Sequence, residues 1–214
     1  MDYTGKKFSI LGDSISTFKG VTVDDPNTFY GSVMCQKGGL TGAQDTWWMG
    51  VITALGGVLE RDNAYSGSCI TDGYGLGRGA CTEERTGALG NPDVILVFMG
   101  GNDMGFQVPE AEFRQAYPLL LSRLKKAYPQ AEIWCATLIN GQKVLPDEPY
   151  FMGSDPATAL EPFSSIIRQA VAEAGVHLVD LAKANLRYDT IDGCHPTRSG
   201  MAQLADLWLR AMKG

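Results

Sequence analysis

The chain is poor in histidine: His177 and His195 are its two in 214 residues. Any chemistry that needs an imidazole therefore has two candidates. Runs of positive charge are also missing. The longest are pairs such as Lys6-Lys7 and Lys125-Lys126, and 18 basic against 24 acidic residues leave a net charge of −6. A nucleic-acid footprint needs clustered Lys and Arg, so nucleic acid is not an expected partner. No apolar run approaches the ~20 residues of a membrane span. The first apolar stretch, Phe8 to Leu11, is short of the roughly 7–15 residues of a secretory core. The expectation is a cytoplasmic chain with no membrane partner, a secreted mature form remaining open if a leader was removed. The five cysteines, Cys35, Cys69, Cys81, Cys135 and Cys194, are odd in number and contain no C-x-x-C pair. That argues against a disulfide framework and a zinc ribbon. Free thiols are expected, with a Cys69–Cys81 pair as the alternative. Walker A, H-E-x-x-H and EF-hand patterns are absent too, so no metal and no cofactor is expected.

What is present describes a folded chain. The 44% apolar and 20% charged residues suit one globular domain spanning 1–214 with a sizeable core. Glycine is in excess: 26 residues, 14 of them between Gly31 and Gly90. That clustering reads as loop and pocket architecture around the second strand.

Short apolar runs alternate with helix-period stretches. Phe8–Leu11, Val58 to about Tyr65, Val94–Met99, Ile133–Leu138 and Val176–Val179 lack strict alternation, as strands buried on both faces do. Helical faces fall between them. One is Trp47 to Leu55. A second is Phe113, Tyr117, Leu120 and Leu124, with Pro118 as a kink or late start. A third is Leu160, Phe163, Ile167, Ala170 and Ala174, entered through Asp155-Pro156 and stopped by Gly175. The last is Met201, Leu204, Ala205, Trp208 and Met212. This order predicts an α/β domain with a parallel sheet covered by helices. Three long irregular stretches, 17–44, 66–91 and 140–155, each follow a strand. In open parallel sheets ligands bind beyond the strands' carboxyl ends, so these loops are the expected pocket walls.

Four places carry chemistry. Gly12-Asp13-Ser14 sets a serine directly after a strand, where it is either an exposed hydroxyl or a helix N-cap. It is not the G-x-S-x-G elbow. Asp192-Gly193-Cys194-His195-Pro196 places a carboxylate three residues before an imidazole on one loop, the base-and-orienter half of a serine triad. His177 sits inside a strand pattern and reads as a structural histidine. Asp180, at a strand end, is a rival orienter ranked below Asp192 because Asp192 is local to His195. Gly100-Gly101-Asn102-Asp103 follows the strongest strand, and an Asn amide there can donate to a developing oxyanion or simply make a turn. Gly67 can offer its N–H where a Cβ would obstruct.

In this order, over nearly the whole chain, the four blocks resemble the SGNH hydrolases, the GDSL-like lipase/acylhydrolase superfamily. The first block reads Gly-Asp-Ser-Ile rather than Gly-Asp-Ser-Leu. The resemblance implies a three-layer α/β/α, flavodoxin-like sandwich with about five parallel strands. It implies Ser14 as nucleophile, His195 as base and Asp192 as its orienter. The Ser14 N–H, the Gly67 N–H and the Asn102 side chain would form the oxyanion hole. The expected activity is that of a serine esterase working through an acyl-enzyme. Its expected substrate is a short acyl group, such as acetyl, on a carbohydrate or other polar small molecule. A lysophospholipase or thioesterase is the alternative within the superfamily, and a non-catalytic binding domain the alternative outside it.

Other signals are weaker. Gly75-Leu76-Gly77-Arg78-Gly79-Ala80 matches a dinucleotide fingerprint in letters, but no strand precedes it, so it reads as loop. Trp47-Trp48 reads as core, with one ring in the pocket as the alternative. Phe29-Tyr30 and Tyr150-Phe151 pose the same choice, and Cys194 reads as a bystander.

Overall fold

The computed structural model describes residues 2–23, 28–151, 160–184 and 186–214. Seven strands occur among them: β1 Lys7–Gly12, β2 Val58–Ala64, β3 Val94–Phe98, β4 Glu132–Ala136, β5 Gly141–Lys143, β6 His177–Val179 and β7 Tyr188–Thr190. The helices are α1 Ser32–Gly38, α2 Trp47–Ala54, α3 Glu83–Thr86, α4 Gly101–Gly105, α5 Glu110–Ala127, α6 Glu161–Ala174 and α7 Arg198–Lys213. Short 3-10 turns lie at Ser14–Ser16, Ala43–Asp45 and Leu181–Lys183. No helix among the described residues is long and apolar enough to cross a membrane.

The central sheet has five parallel strands in the order β2-β1-β3-β4-β6. Each apolar run of the sequence lies in one of them. Strand geometry sends alternate side chains to opposite faces, and here both faces are covered. Phe8, Ile10, Val94, Leu96, Phe98 and Trp134 join one core with Trp47, Trp48 and Trp208 from α2 and α7. Leu11, Ile95, Val97, Ile133 and Cys135 join another with Phe113, Tyr117, Leu120 and Ile167 from α5 and α6. That is a three-layer α/β/α sandwich. The chain enters at β1, adds β2 on one side and then β3 on the other. The order therefore reverses between β1 and β3, and their carboxyl ends flank the crevice where such sheets bind ligands.

The helix edges follow local chemistry. Thr46 caps α2 by accepting from the Met49 N–H, and Gly175, at φ +64°, ends α6 in the left-handed region that favours glycine. The Asp155-Pro156 entry lies outside the described residues; α6 starts at Glu161 with Pro162 in its first turn. Pro118 does not delay α5, which begins at Glu110 and runs through it. The proline cannot donate to the Arg114 carbonyl. Both residues are exposed, so water can serve that carbonyl instead.

The β5–β7 pair is a second, two-stranded parallel sheet with no counterpart in the sequence pattern. Its three-residue strands are short and largely polar, and periodicity cannot register them. It matters because β7 leads straight into the 191–197 loop.

Candidate active site

Ser14 lies immediately beyond β1. Asp13 accepts from the Ile15 N–H at 3.0 Å and so caps the Ser14–Ser16 turn, which leaves Ser14 inside it. The chain folds back so tightly that a Cβ on Gly12 would come within 2.6 Å of Ser16 Oγ. That oxygen is pinned, because it accepts from Trp47 Nε1 at 3.2 Å. Trp48 Nε1 donates to the Ser16 carbonyl at 2.9 Å. Both indoles are fully buried; they brace the serine turn and neither lines the cleft.

His195 Nε2 is 2.9 Å from Ser14 Oγ, and His195 Nδ1 is 2.7 Å from Asp192 Oδ2. The other Asp192 oxygen accepts from the backbone N–H groups of Cys194, at 3.1 Å, and His195, at 2.8 Å. Burial pushes the Asp192 carboxyl up, but the bonds from His195 and Cys194 outweigh it and its pKa is lowered overall. An ionised Asp192 can only accept, so Nδ1 carries the proton and Nε2 presents a lone pair to the serine hydroxyl. The imidazole is fully buried. Phe29 stacks on it, centroids 3.5 Å apart and planes 11° apart, and Phe151 meets it edge-on at 4.8 Å.

The loop carrying His195 is tied on both sides. Tyr188 OH donates to the Cys194 carbonyl at 2.6 Å and Tyr30 OH to the Pro196 carbonyl at 2.8 Å. The Gly193 N–H donates to Thr190 Oγ1 at 2.8 Å and the Ile191 N–H to the His195 carbonyl at 2.8 Å. The rival orienter Asp180 is engaged elsewhere. Arg168 grips it at 2.8 and 2.9 Å, Thr137 Oγ1 donates at 3.1 Å, and Lys183 pairs with it at 3.2 Å. His177 stacks on Trp134 at 4.3 Å and is half-buried on the edge strand β6, not in the core.

Asn102, in the first turn of α4, lines the cleft beside Ser14 and donates one amide proton to the Ser68 carbonyl at 3.0 Å. Gly67 has φ +74°, and a Cβ there would meet Leu76 at 2.9 Å, so the position suits glycine alone. The loop behind it hangs on Asp103, whose oxygens accept from the N–H groups of Ile70 at 2.7 Å and Thr71 at 2.9 Å. Burial raises Asp103 to about 6 and Asp13 to about 7. Near Asp13 sits a buried cation that no motif singles out. Arg85 donates to the carbonyls of Gly12 at 3.4 Å and Asn63 at 2.9 Å, and to Ser68 Oγ at 2.9 Å.

The cleft spans about 800 Å³ including its open mouth. Its walls are Phe98, Met99 and α4 on one side, and Leu138 to Gly141, Phe151 and the Gly193-Cys194 turn on the other. Of the three long stretches expected as walls, 140–155 contributes. The 17–44 stretch reaches the site through Phe29 and Tyr30 instead, and 66–91 adjoins the cleft through the Gly67-Ser68 turn that Asn102 holds, without a wall side chain of its own. None of the glycines between Gly31 and Gly90 lines it either. Gly67, Gly73, Gly75, Gly77 and Gly90 have positive φ, so they serve turns in the loops that follow the second strand. All five cysteines are free, Cys69 and Cys81 included. Burial drives the Cys194 thiol well above its usual pKa, which disfavours the reactive thiolate.

Residues 6–148 match the family described as GDSL-like Lipase/Acylhydrolase. The fold is similar to a protein assigned as a GDSL-like lipase from Bacteroides uniformis, at 27% identity and a TM-score of 0.74, covering 98% of this chain and 96% of that one. A second such protein, from Bacteroides ovatus, is 22% identical with a TM-score of 0.70, covering 98% and 99%. A family two carbohydrate esterase from Clostridium thermocellum shares the fold at 18% identity and a TM-score of 0.65, covering 97% of this chain and 63% of that one. None of the curated proteins searched matches the chain significantly.

Proposed function

The chain belongs to the GDSL-like lipase/acylhydrolase family, and from that premise we propose that it is a serine esterase whose nucleophile is Ser14. The observation that carries this reading is the unbroken line Ser14 Oγ–His195–Asp192, at 2.9 and 2.7 Å. A serine hydroxyl is a weak nucleophile until a base takes its proton. His195 Nε2 takes it as Oγ attacks the ester carbonyl, and Asp192 stabilises the imidazolium so formed. The carbonyl oxygen becomes an oxyanion at the crevice between β1 and β3. The Ser14 and Gly67 N–H groups and the second Asn102 amide proton serve it there. Collapse expels the alcohol, which takes the proton back from His195. Water then attacks the acyl-enzyme with His195 as base again, releasing the acid and restoring Ser14.

For the substrate, we infer a short acyl group such as acetyl on a carbohydrate or other polar small molecule. The fold likeness to a carbohydrate esterase supports it. One observation favours a second reading. The cleft walls are mostly apolar, with Phe98, Met99, Met104, Leu138 and Ile139, and such a surface rewards a longer acyl chain, as in a lysophospholipid or a fatty thioester.

The deciding experiment assays aryl esters of increasing acyl length, acetylated sugars and long-chain thioesters with wild type and Ser14→Ala. Wild type hydrolyses the aryl esters, and folded Ser14→Ala loses more than about 10⁴-fold in kcat. Optimal acetyl esters with sugar deacetylation support the first substrate reading; a long-chain optimum supports the second. Ester hydrolysis at wild-type rate by Ser14→Ala overturns the mechanism, and no turnover of any ester by wild type leaves a binding domain.

A further inference from the structure

The two hydrogen bonds of His195 leave one motion of its ring unrestrained. Bonds at Nδ1 and Nε2 fix the ring along the line joining Asp192 to Ser14. Rocking about that line keeps both nitrogens near their partners while it tilts the lone pair and the N–H off axis, and hydrogen bonds weaken with misalignment. The Cβ–Cγ bond limits the excursion, and contacts against the ring oppose the remainder. Phe29 supplies one, nearly parallel at 3.5 Å.

Phe29 is itself held by the nucleophile's own turn. Its N–H donates to Thr17 Oγ1 at 3.0 Å, and that hydroxyl donates to the Ser14 carbonyl at 3.0 Å. The next residue, Tyr30, is fully buried and ties the Pro196 carbonyl behind the imidazole. A single dipeptide thus references the base to the serine on one side and to the base loop on the other. Phe151, the other ring on His195, is 36% exposed and lies on the cleft wall.

We propose that Phe29 is a positioning residue: its ring face fixes the plane of the His195 imidazole between Ser14 and Asp192. This rests on the esterase reading above. The stacked face also favours the imidazolium that forms in the transition state and keeps water from the His195–Asp192 bond. Phe29 is not among the residues of the cleft walls, so its effect belongs in kcat and not in substrate binding.

The test compares Phe29→Leu and Phe29→Met, which keep apolar volume but lose the ring face, with Phe29→Tyr, which keeps it. Each is assayed on an aryl ester and for the rate at which a fluorophosphonate labels Ser14. The labelling rate reads nucleophile activation without a natural substrate. Phe29→Leu and Phe29→Met are expected to lose about 10–100-fold in kcat, with KM within about twofold of wild type, a matching drop in labelling rate and an unchanged melting temperature. Phe29→Tyr restores most of both rates. In an Asp192→Asn background, Phe29→Leu costs markedly less than in wild type, because both act on the same ring. Wild-type labelling rates in Phe29→Leu and Phe29→Met overturn the proposal. So does a raised KM at unchanged kcat, or an activity loss that tracks lost melting temperature and is not rescued by tyrosine. Failure of the esterase reading is separate: it appears as labelling or turnover that survives Ser14→Ala.

Discussion

Asp13 and Asp192 flank the same serine, and burial pushes both carboxyls up, yet their partners send the net shifts in opposite directions. Asp192 has a cationic-capable partner and two backbone donors, and its pKa falls. Asp13 is buried with one N–H donor from Ile15 and the negative Asp103 nearby, and its pKa rises to about 7 against an ordinary 3.8, with Arg85 opposing the rise. The signs of linkage follow. Asp192 adds stability above its unfolded pKa, and that is lost as pH falls through its lower folded value. Asp13 binds its proton more tightly folded than unfolded, so it favours the fold below its unfolded pKa. That preference is withdrawn as pH rises from about 4 to about 7, at up to about 1.4 kcal/mol per pH unit. Asp13→Asn keeps an acceptor for the Ile15 N–H but cannot ionise. Relative to wild type it is expected to gain stability steadily from pH 4 to pH 7 and to hold that gain above. Denaturant midpoints of both proteins across this range measure it; a pH-independent difference would show that Asp13 does not titrate there.

Between elements, the serine turn, the end of β2 and the Gly67 loop meet on one side chain, Arg85 of α3. It bonds the carbonyls of Gly12 and Asn63 and the Ser68 hydroxyl, so it joins the ends of β1 and β2 to the loop that Asn102 and Asp103 hold from the other side. Arg85→Met fills comparable volume without donors. It removes the side-chain donors to the Asn63 carbonyl and the Ser68 hydroxyl, leaves the Gly12 carbonyl to the Tyr65 N–H alone, and takes the nearby cation from Asp13, so a loss of about 3 kcal/mol is expected from urea unfolding. A change under about 0.5 kcal/mol, the range of ordinary surface substitutions, would remove the clamp from the account. This junction was not legible in the sequence. An arginine in a short helix reads as solvated because Arg is mostly exposed, and its burial here comes from contacts up to 73 positions away. Phe29 could be read only as a choice between core and pocket, because the histidine it covers is 166 residues away. Elements read well where the signal is repeated along the chain. β1, β3 and β4 were legible because both faces demand apolar side chains, the edge strands β2 and β6 gave weaker runs because they are only partly buried, and α7 was legible because Met201, Leu204, Ala205, Trp208 and Met212 keep one helical face buried. β5 and β7, three residues each, have too few positions to show a period. Asp192 and His195 stood out because they share one loop; Ser14 read equally as a helix cap, and Gly67 and Asn102 as turn residues, until the resemblance ranked their chemical roles first.

At the scale of the whole molecule, strand order decides where the substrate sits, and wall chemistry decides which substrate. The reversal between β1 and β3 opens the crevice with Ser14 on one lip and Asn102 on the other. The space beyond them runs between α4 and the segment after β4, with mainly apolar walls. Gly101 is the position where this reading can be tested without straining the backbone. It opens α4, its φ is not in the left-handed region, and a Cβ built there meets nothing within 4 Å. It also lines the cleft. A leucine at 101 would therefore occupy the space proposed for the acyl chain. Gly101→Leu is expected to move the optimum of an acyl-length series to shorter esters. Each methylene it excludes changes the preference by about 1–3 kcal/mol, roughly 10–200-fold in kcat/KM, while acetyl esters keep most of their rate. Equal loss at every acyl length would mean that the new side chain disturbs Asn102 and not the chain site. An unchanged series would place the acyl group elsewhere and leave the apolar walls to the alcohol.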